Sequence, residues 1–111
     1  MSNFIDIIID DDSAMRITRA VEWWEGDDEE DRLWPEEQLT FTGEAEDGHV
    51  AELNVCGGDD GGVVTMMLLL DADGGEVYES NDESSPWGTW DVRDEVTGEP
   101  YSVRVIAESE L

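Results

Sequence analysis

Two side chains in this 111-residue chain could make a nucleophile–base pair, and each occurs once: the thiol of Cys56 and the imidazole of His49. A thiolate nucleophile needs its base within hydrogen-bond reach. Seven residues separate the two, and on one hairpin arm an odd spacing sends side chains to opposite faces of a strand. Cys56 therefore reads as a small hydrophobe at a strand end, and His49 as a turn or sheet-face residue. Carboxylate pairs for acid–base work can be drawn almost anywhere among 31 Asp and Glu, so none stands out. There is no Ser-His-Asp order, phosphate-binding glycine loop or dinucleotide fingerprint. The expectation is a protein that is not an enzyme, with no catalytic residue and no cofactor.

Metal ligation has one candidate segment. Asp71-Ala72-Asp73-Gly74-Gly75-Glu76 opens like a calcium loop, because hard cations take oxygen ligands. A third oxygen ligand before the glycine and a distal Glu are both missing, and strand-like runs flank the segment. A hairpin turn explains it better. Asp59-Asp60, between two glycine pairs, has the same character. Weak, nonspecific divalent binding is expected, and no dedicated metal site.

Charge dominates the chemistry. Thirty-one acids stand against five Arg and no Lys, a formal net charge of −26. Duplex DNA carries one charge per ~1.7 Å of axis, so the same charge belongs to roughly 13 base pairs, about 44 Å of duplex. A compact chain of this mass exposes on the order of 6,000 Å², which spreads the charge to about half the density on DNA. Matching a phosphate backbone would require the carboxylates to gather on one face. Repulsion at this level destabilises a compact state and keeps it soluble. Direct binding to nucleic acid or to an anionic membrane is excluded, since there is no basic patch to neutralise phosphates. A partner must present a basic surface.

The hydrophobic fraction of 39% and five Trp argue for a folded chain rather than an acidic disordered one. A lone Cys allows no internal disulfide, so this is not a stapled secreted scaffold. The longest apolar stretch, residues 66–70, is too short to span a bilayer. One domain over residues 1–111 and a cytoplasmic location are expected. The sequence leaves the oligomeric state open, with a homodimer among the options.

The elements that would position these groups read as follows. Residues 4–9 (F-I-D-I-I-I) form a buried strand or a short helix, which periodicity alone does not separate. Residues 14–25 fit either a helix with Ser13 as N-cap, Ala14, Ile17, Val21 and Trp24 on one face and Gly26 at the stop, or an alternating strand; the cap and stop signals favour the helix. Leu39 and Phe41 alternate with Thr40 and Thr42, residues 43–48 turn, and Val50 to Val55 return as a hairpin. Residues 57–62 are a loop. Residues 63–70 make a central strand covered on both faces, and residues 71–75 turn into Val77 and Tyr78. Residues 79–86 read as a polar loop. Trp87 to Val92 and Tyr101 to Ile106 close a hairpin across Thr97-Gly98. The fold class is α+β, mainly β: an antiparallel sheet of five or six strands with one or two short N-terminal helices.

Where a partner would bind follows from the aromatics among the acids. Trp is a favoured interface anchor, and carboxylates around it steer a basic partner. The densest run, Asp27, Asp28, Glu29, Glu30 and Asp31, precedes Leu33, Trp34, Pro35, Glu36 and Glu37, and these form the expected partner face. The acidic loops at Asp59-Asp60 and Asp82-Glu83, and Trp87 after Pro86, come next.

Met1-Ser2-Asn3-Phe4-Ile5-Asp6-Ile7-Ile8 resembles the first helix of the phage uracil-DNA glycosylase inhibitors, small acidic α+β proteins. Leu33-Trp34-Pro35-Glu36-Glu37 is similar to that family's leucine-proline-diglutamate segment. Met67-Leu68-Leu69 with Asp71-Ala72 resembles its central strand, and Pro86-Trp87 with Asp94 and Gly98 its last hairpin. These pieces cover about a quarter of the chain. In place of the family's Glu-Ser-Ile edge-strand motif stands Glu29-Glu30-Asp31, so only the Glu carries over, and the helix expected after Glu37 reads as a strand. What the resemblance implies is a class: an acidic DNA mimic that binds and blocks the nucleic-acid cleft of a basic DNA-processing or defence protein of the repair-glycosylase, restriction or CRISPR kind. The alternative is a small salt-adapted domain of a halophile, with a non-catalytic binding or immunity role.

The two readings differ in their response to salt. A mimic that works at about 0.1 M NaCl, where the Debye length is ~10 Å, must fold there despite its self-repulsion. Circular dichroism at that salt is expected to show a cooperative β-rich protein. A coil that folds only near about 1 M salt would mark a halophile's domain.

Overall fold

The structure is a computed structural model that describes residues 3–26, 38–57, 63–82 and 85–111, with residues 23–26 described in their backbone alone. The first strand, β1 (Phe4–Ile9), alternates strictly. Ile5, Ile7 and Ile9 are fully buried, while Phe4, Asp6 and Ile8 face out. Six residues could not decide between helix and strand. A partner at the far end of the chain does: β1 pairs in parallel with the last strand, β7 (Pro100–Ala107), from Phe4 opposite Ser102 to Ile9 opposite Ala107. Residues 4–8 of the segment that resembles the inhibitors' first helix are thus strand. On the other side of β7, β6 (Gly88–Arg93) pairs antiparallel, giving a three-stranded sheet in the order β1-β7-β6.

Helix α1 (Asp11–Gly26) follows β1 directly. Its N-cap is Asp10 rather than Ser13: the Asp10 carboxylate accepts the Ser13 N–H at 2.9 Å, and its carbonyl accepts the Ala14 N–H at 2.8 Å. Ala14, Ile17 and Ala20 are buried in one apolar cluster with the inner residues of the sheets, and Val21 packs against it.

The second sheet is an antiparallel meander of β2 (Leu39–Glu44), β3 (Val50–Gly57), β4 (Val63–Leu70) and β5 (Glu76–Asp82), in that order. β4 lies between β3 and β5 as its continuous apolar run requires. Val63, Thr65, Met67 and Leu69 point into the core, and Val64, Met66, Leu68 and Leu70 are half-buried on the other face. The strand after the 71–75 turn runs on to Asp82, where the sequence suggests a polar loop. Glu79 and Asn81 pair with Leu68 and Met66 of β4. Polar residues cost little on the outward face of an edge strand, and the neighbour's backbone supplies their hydrogen bonds.

The described residues are mainly β, with seven strands in two sheets and one long helix, in place of a single sheet of five or six strands. The extra strand is β1, and the split arises because β1 joins the C-terminal hairpin rather than the meander. Along the seam, β1 runs beside β2. Gly43 makes that approach possible, since a Cβ there would collide with the Asp6 carbonyl oxygen and touch the Ile5 side chain. Backbone cannot yield as a flexible side chain does. Gly43→Ala is therefore expected to destabilise the fold by about 2 kcal/mol through overpacking. Urea denaturation checks this, and an unchanged midpoint would show that the seam is loose.

Candidate functional site

The single histidine organises one end of the molecule. Three hairpin turns meet there: residues 45–49 between β2 and β3, 71–75 between β4 and β5, and 94–99 between β6 and β7. Each is built for tightness. Asp71 turns a carboxylate oxygen onto the N–H groups of Asp73 and Gly75, at 2.9 and 2.8 Å. Asp94 does the same for Val96 and Thr97, at 2.8 and 3.0 Å. Gly74 and Gly98 adopt φ of 85° and 80°, a region that favours glycine. The calcium-like segment is thus a hairpin turn whose first carboxylate is spent on its own backbone.

His49 ties the first turn to the third. Its Nδ1 lies 3.0 Å from Asp47 Oδ1 and its Nε2 lies 2.9 Å from Asp94 Oδ2. The Tyr101 hydroxyl donates to the other Asp47 oxygen at 2.6 Å, and its ring stacks on the imidazole at 4.7 Å between centroids. A further backbone bond, from Glu95 N–H to the Val77 carbonyl at 2.9 Å, joins the third turn to β5. Both sheets are therefore clamped at this end.

The protonation states follow from the geometry. Burial pulls the His49 pKa down, but hydrogen bonds to Asp94 and Asp47 outweigh it and raise the pKa above the ordinary 6.5. Asp94 is held below the usual carboxylate value, first by His49 and then by the Thr97 and Val96 N–H groups. Asp47 is lowered chiefly by the Tyr101 hydroxyl. Burial, and then Asp47, push the Tyr101 phenol up, so it stays a donor. When protonated, the imidazolium donates from both nitrogens, one to each carboxylate, and the clamp is complete. Cys56 lies in β3, half-buried, away from this turn.

Around the clamp the turns present carboxylates. Glu44, Glu46 and Asp47 come from the first, Asp71, Asp73 and Glu76 from the second, and Glu95 and Glu99 from the third. Glu76 shares a hydrogen bond with Glu79, which raises its pKa with help from partial burial and from the charges of Glu79 and Glu52. Val96, 81% exposed, stands at the tip of the third turn among these acids. Among the described residues at this end, the cations are the paired His49 and Arg93 at the end of β6.

Of the partner face expected from the sequence, Asp27, Asp28, Glu29, Glu30, Asp31, Leu33, Trp34, Glu36 and Glu37 lie outside the described residues, as do Asp59, Asp60 and Glu83. Asp82 is exposed at the end of β5. Trp87 is half-buried and packs against the core beside the buried Pro86. The Trp90 indole N–H donates to the Pro86 carbonyl at 2.9 Å. Both indoles are packing residues first. The turn-end carboxylates, Val96 and the clamp of Asp47, Asp94 and Tyr101 escaped the sequence reading. One signal was available: a lone histidine among 31 acids will meet a carboxylate.

In comparisons with protein-family models, curated proteins and solved structures, the chain matches none.

The clamp predicts a pH profile. His49, with a raised folded pKa, stabilises the fold fully below its unfolded value near 6.5, and this is lost as pH rises through the folded value. Asp47 and Asp94, with lowered pKa values, stabilise above the ordinary 3.8 and lose that as pH falls through their folded values. Glu76, raised by its neighbours, also favours mild acid. Melting temperatures should peak between those limits, higher near about pH 5 than near pH 8. His49→Gln should flatten the alkaline limb and lower the melting temperature by roughly 10 °C at the optimum, as charge-assisted bonds in a small domain do. An unchanged profile in the variant would show that the clamp carries no stability.

Proposed function

We propose that this protein is an acidic mimic of DNA that occupies the nucleic-acid-binding cleft of a basic DNA-processing or defence protein, and that its role is binding rather than catalysis. The observation that carries the reading is the convergence of seven carboxylates on three hairpin turns, the first and third of which His49 ties together. A mimic needs charges whose positions are set before the encounter, because ordering them on binding would cost affinity. The molecule's longest dimension, 46 Å, also suits the charge it carries: about 44 Å of duplex holds as many phosphates. The acidic run at residues 27–31 and Trp34, outside the described residues, are further candidates for contact with the partner. No helix among the described residues is long and apolar enough to cross a membrane, and a cytoplasmic location fits the proposed targets.

A second reading has its own support. Carboxylates also crowd the opposite end, where Asp10, Asp11 and Asp12 meet Glu108 and Glu110, and the Ser109 N–H donates to Asp11 at 2.9 Å. Charge at both ends, with no Lys anywhere, is what a salt-adapted domain of a halophile would carry.

Screening against DNA-processing enzymes, with duplex DNA as competitor, tests the mimic. Binding is expected to be fast, competitive with DNA and strongly salt-dependent. Neutralising Glu46, Asp73, Glu95 and Glu99 to Gln or Asn should slow association about tenfold and flatten the salt dependence. Neutralising residues 27–30 in the same way measures the share of the acidic run. Trp34→Ala should instead speed dissociation, since an apolar anchor acts after encounter. Inhibition that DNA does not compete away would overturn the reading.

A further inference from the structure

The outer wall of the three-stranded sheet does not fit the rest of the surface. An exposed sheet face in so acidic a chain should be polar. Yet β1 turns Phe4 outward, 67% exposed, and Ile8, 44% exposed. Ile106 of β7 lies directly opposite Ile8 in the register. Between the two apolar ends sits an ion pair. The Arg104 guanidinium grips Asp6 with both arms, Nε to Oδ1 at 3.0 Å and Nη2 to Oδ2 at 2.9 Å. On β6, Asp91 and Arg93 are the other outward charges. Two Asp and two Arg leave the wall neutral on a molecule of net charge −26. A shallow cavity of about 400 Å³ lies over Phe4, Thr89, Ser102 and the ion pair.

We propose that this wall is the interface of a weak homodimer whose formation is driven by salt. The occupant follows from charge. A basic partner is drawn to the carboxylates at the two ends and gains nothing from a neutral wall. An acidic partner is repelled everywhere else. A second copy of the chain must meet this surface where carboxylates do not oppose carboxylates, and among the described sheet faces this wall is that place. A two-fold axis parallel to the strands and between β1 and β7 sets the Asp6 position against the Arg104 position of the other copy, Ile8 against Ile106 and Phe4 against Ser102, as an isologous contact requires. Area sets the strength. Six residues on each of three strands span roughly 20 by 14 Å, near 300 Å², against about 800 Å² per partner in a standard stable interface. The contact is therefore weak, and repulsion between two −26 charges opposes it until salt screens them. Of the residues named here only Arg93 also belongs to the turn end, so the dimer stands whether or not the protein mimics DNA.

Sedimentation equilibrium of the full chain at about 0.1 M and about 1 M NaCl reads the proposal, the Debye length falling from ~10 Å to ~3 Å. Dimer is expected to grow at least tenfold with salt. The double variant Phe4→Ser, Ile8→Ser should remain monomeric at both, with its fold checked by circular dichroism. Should that variant fail to fold, Ser102→Cys in a Cys56→Ser background supplies the reading instead. Ser102 lies on the central strand of the wall, and a short bis-maleimide added at high salt should trap a crosslinked dimer. A monomer at both salts, a dimer that survives the double variant, or a Ser102→Cys chain that stays uncrosslinked would each overturn the proposal.

Discussion

One imidazole set between two carboxylates ties the two sheets together at the turn end of the molecule. His49 stands between Asp47, on the first hairpin turn, and Asp94, on the third, and each carboxylate is fixed a second time by other donors. Three consequences follow from this one arrangement. The imidazole holds its proton more tightly than a free histidine, because losing it would leave two carboxylates facing each other. The turns keep a defined spacing, because each is tied to the sheet opposite. The carboxylates that ride on those turns inherit positions that their mutual repulsion would otherwise spread apart. A chain with five Arg and no Lys cannot neutralise its acids one by one. It spends its histidine where three hairpins meet.

The remaining charge is not spread evenly. The accessible surface is 6680 Å², close to what the chain's mass implies, so the mean density stays well below that of a DNA cylinder. Segregation makes up part of the difference. Acids collect at the turn end and again where the start of α1 meets the C-terminal 3-10 turn (Glu108–Glu110), while the wall of β1, β7 and β6 is balanced by the Asp6–Arg104 pair. Like charges at the ends of a long molecule sit far from each other and close to solvent, where screening is strongest. The same division leaves one neutral, apolar face.

Much of the local structure was legible in the residues. The alternation at Leu39 and Phe41, the unbroken apolar run of residues 63–70 and the Thr97-Gly98 turn each name an element, because side-chain period and turn chemistry are properties of a few neighbouring residues. The helix after residue 10 was legible to within a turn, and only its cap moved, from Ser13 to Asp10. Where such signals were short or mixed, the outcome depended on remote pairing. Glu79 and Asn81 belong to a strand because β4 lies beside them. Trp87 and Trp90 serve packing because Pro86 is buried under them.

From the sequence alone came the charge and its sign and the mainly β character. These depend on composition and on patterns a few residues long, which no fold can alter. The tertiary structure decided that residues 4–9 are a strand, since that strand exists through a parallel partner almost a hundred residues away. It decided too that His49, Asp47, Asp94 and Tyr101 form one clamp, and that Phe4, Ile8 and Arg104 share one wall. Contacts of that range are set by which apolar faces can be buried together, and a sheet closes them in an order that neighbouring residues do not encode.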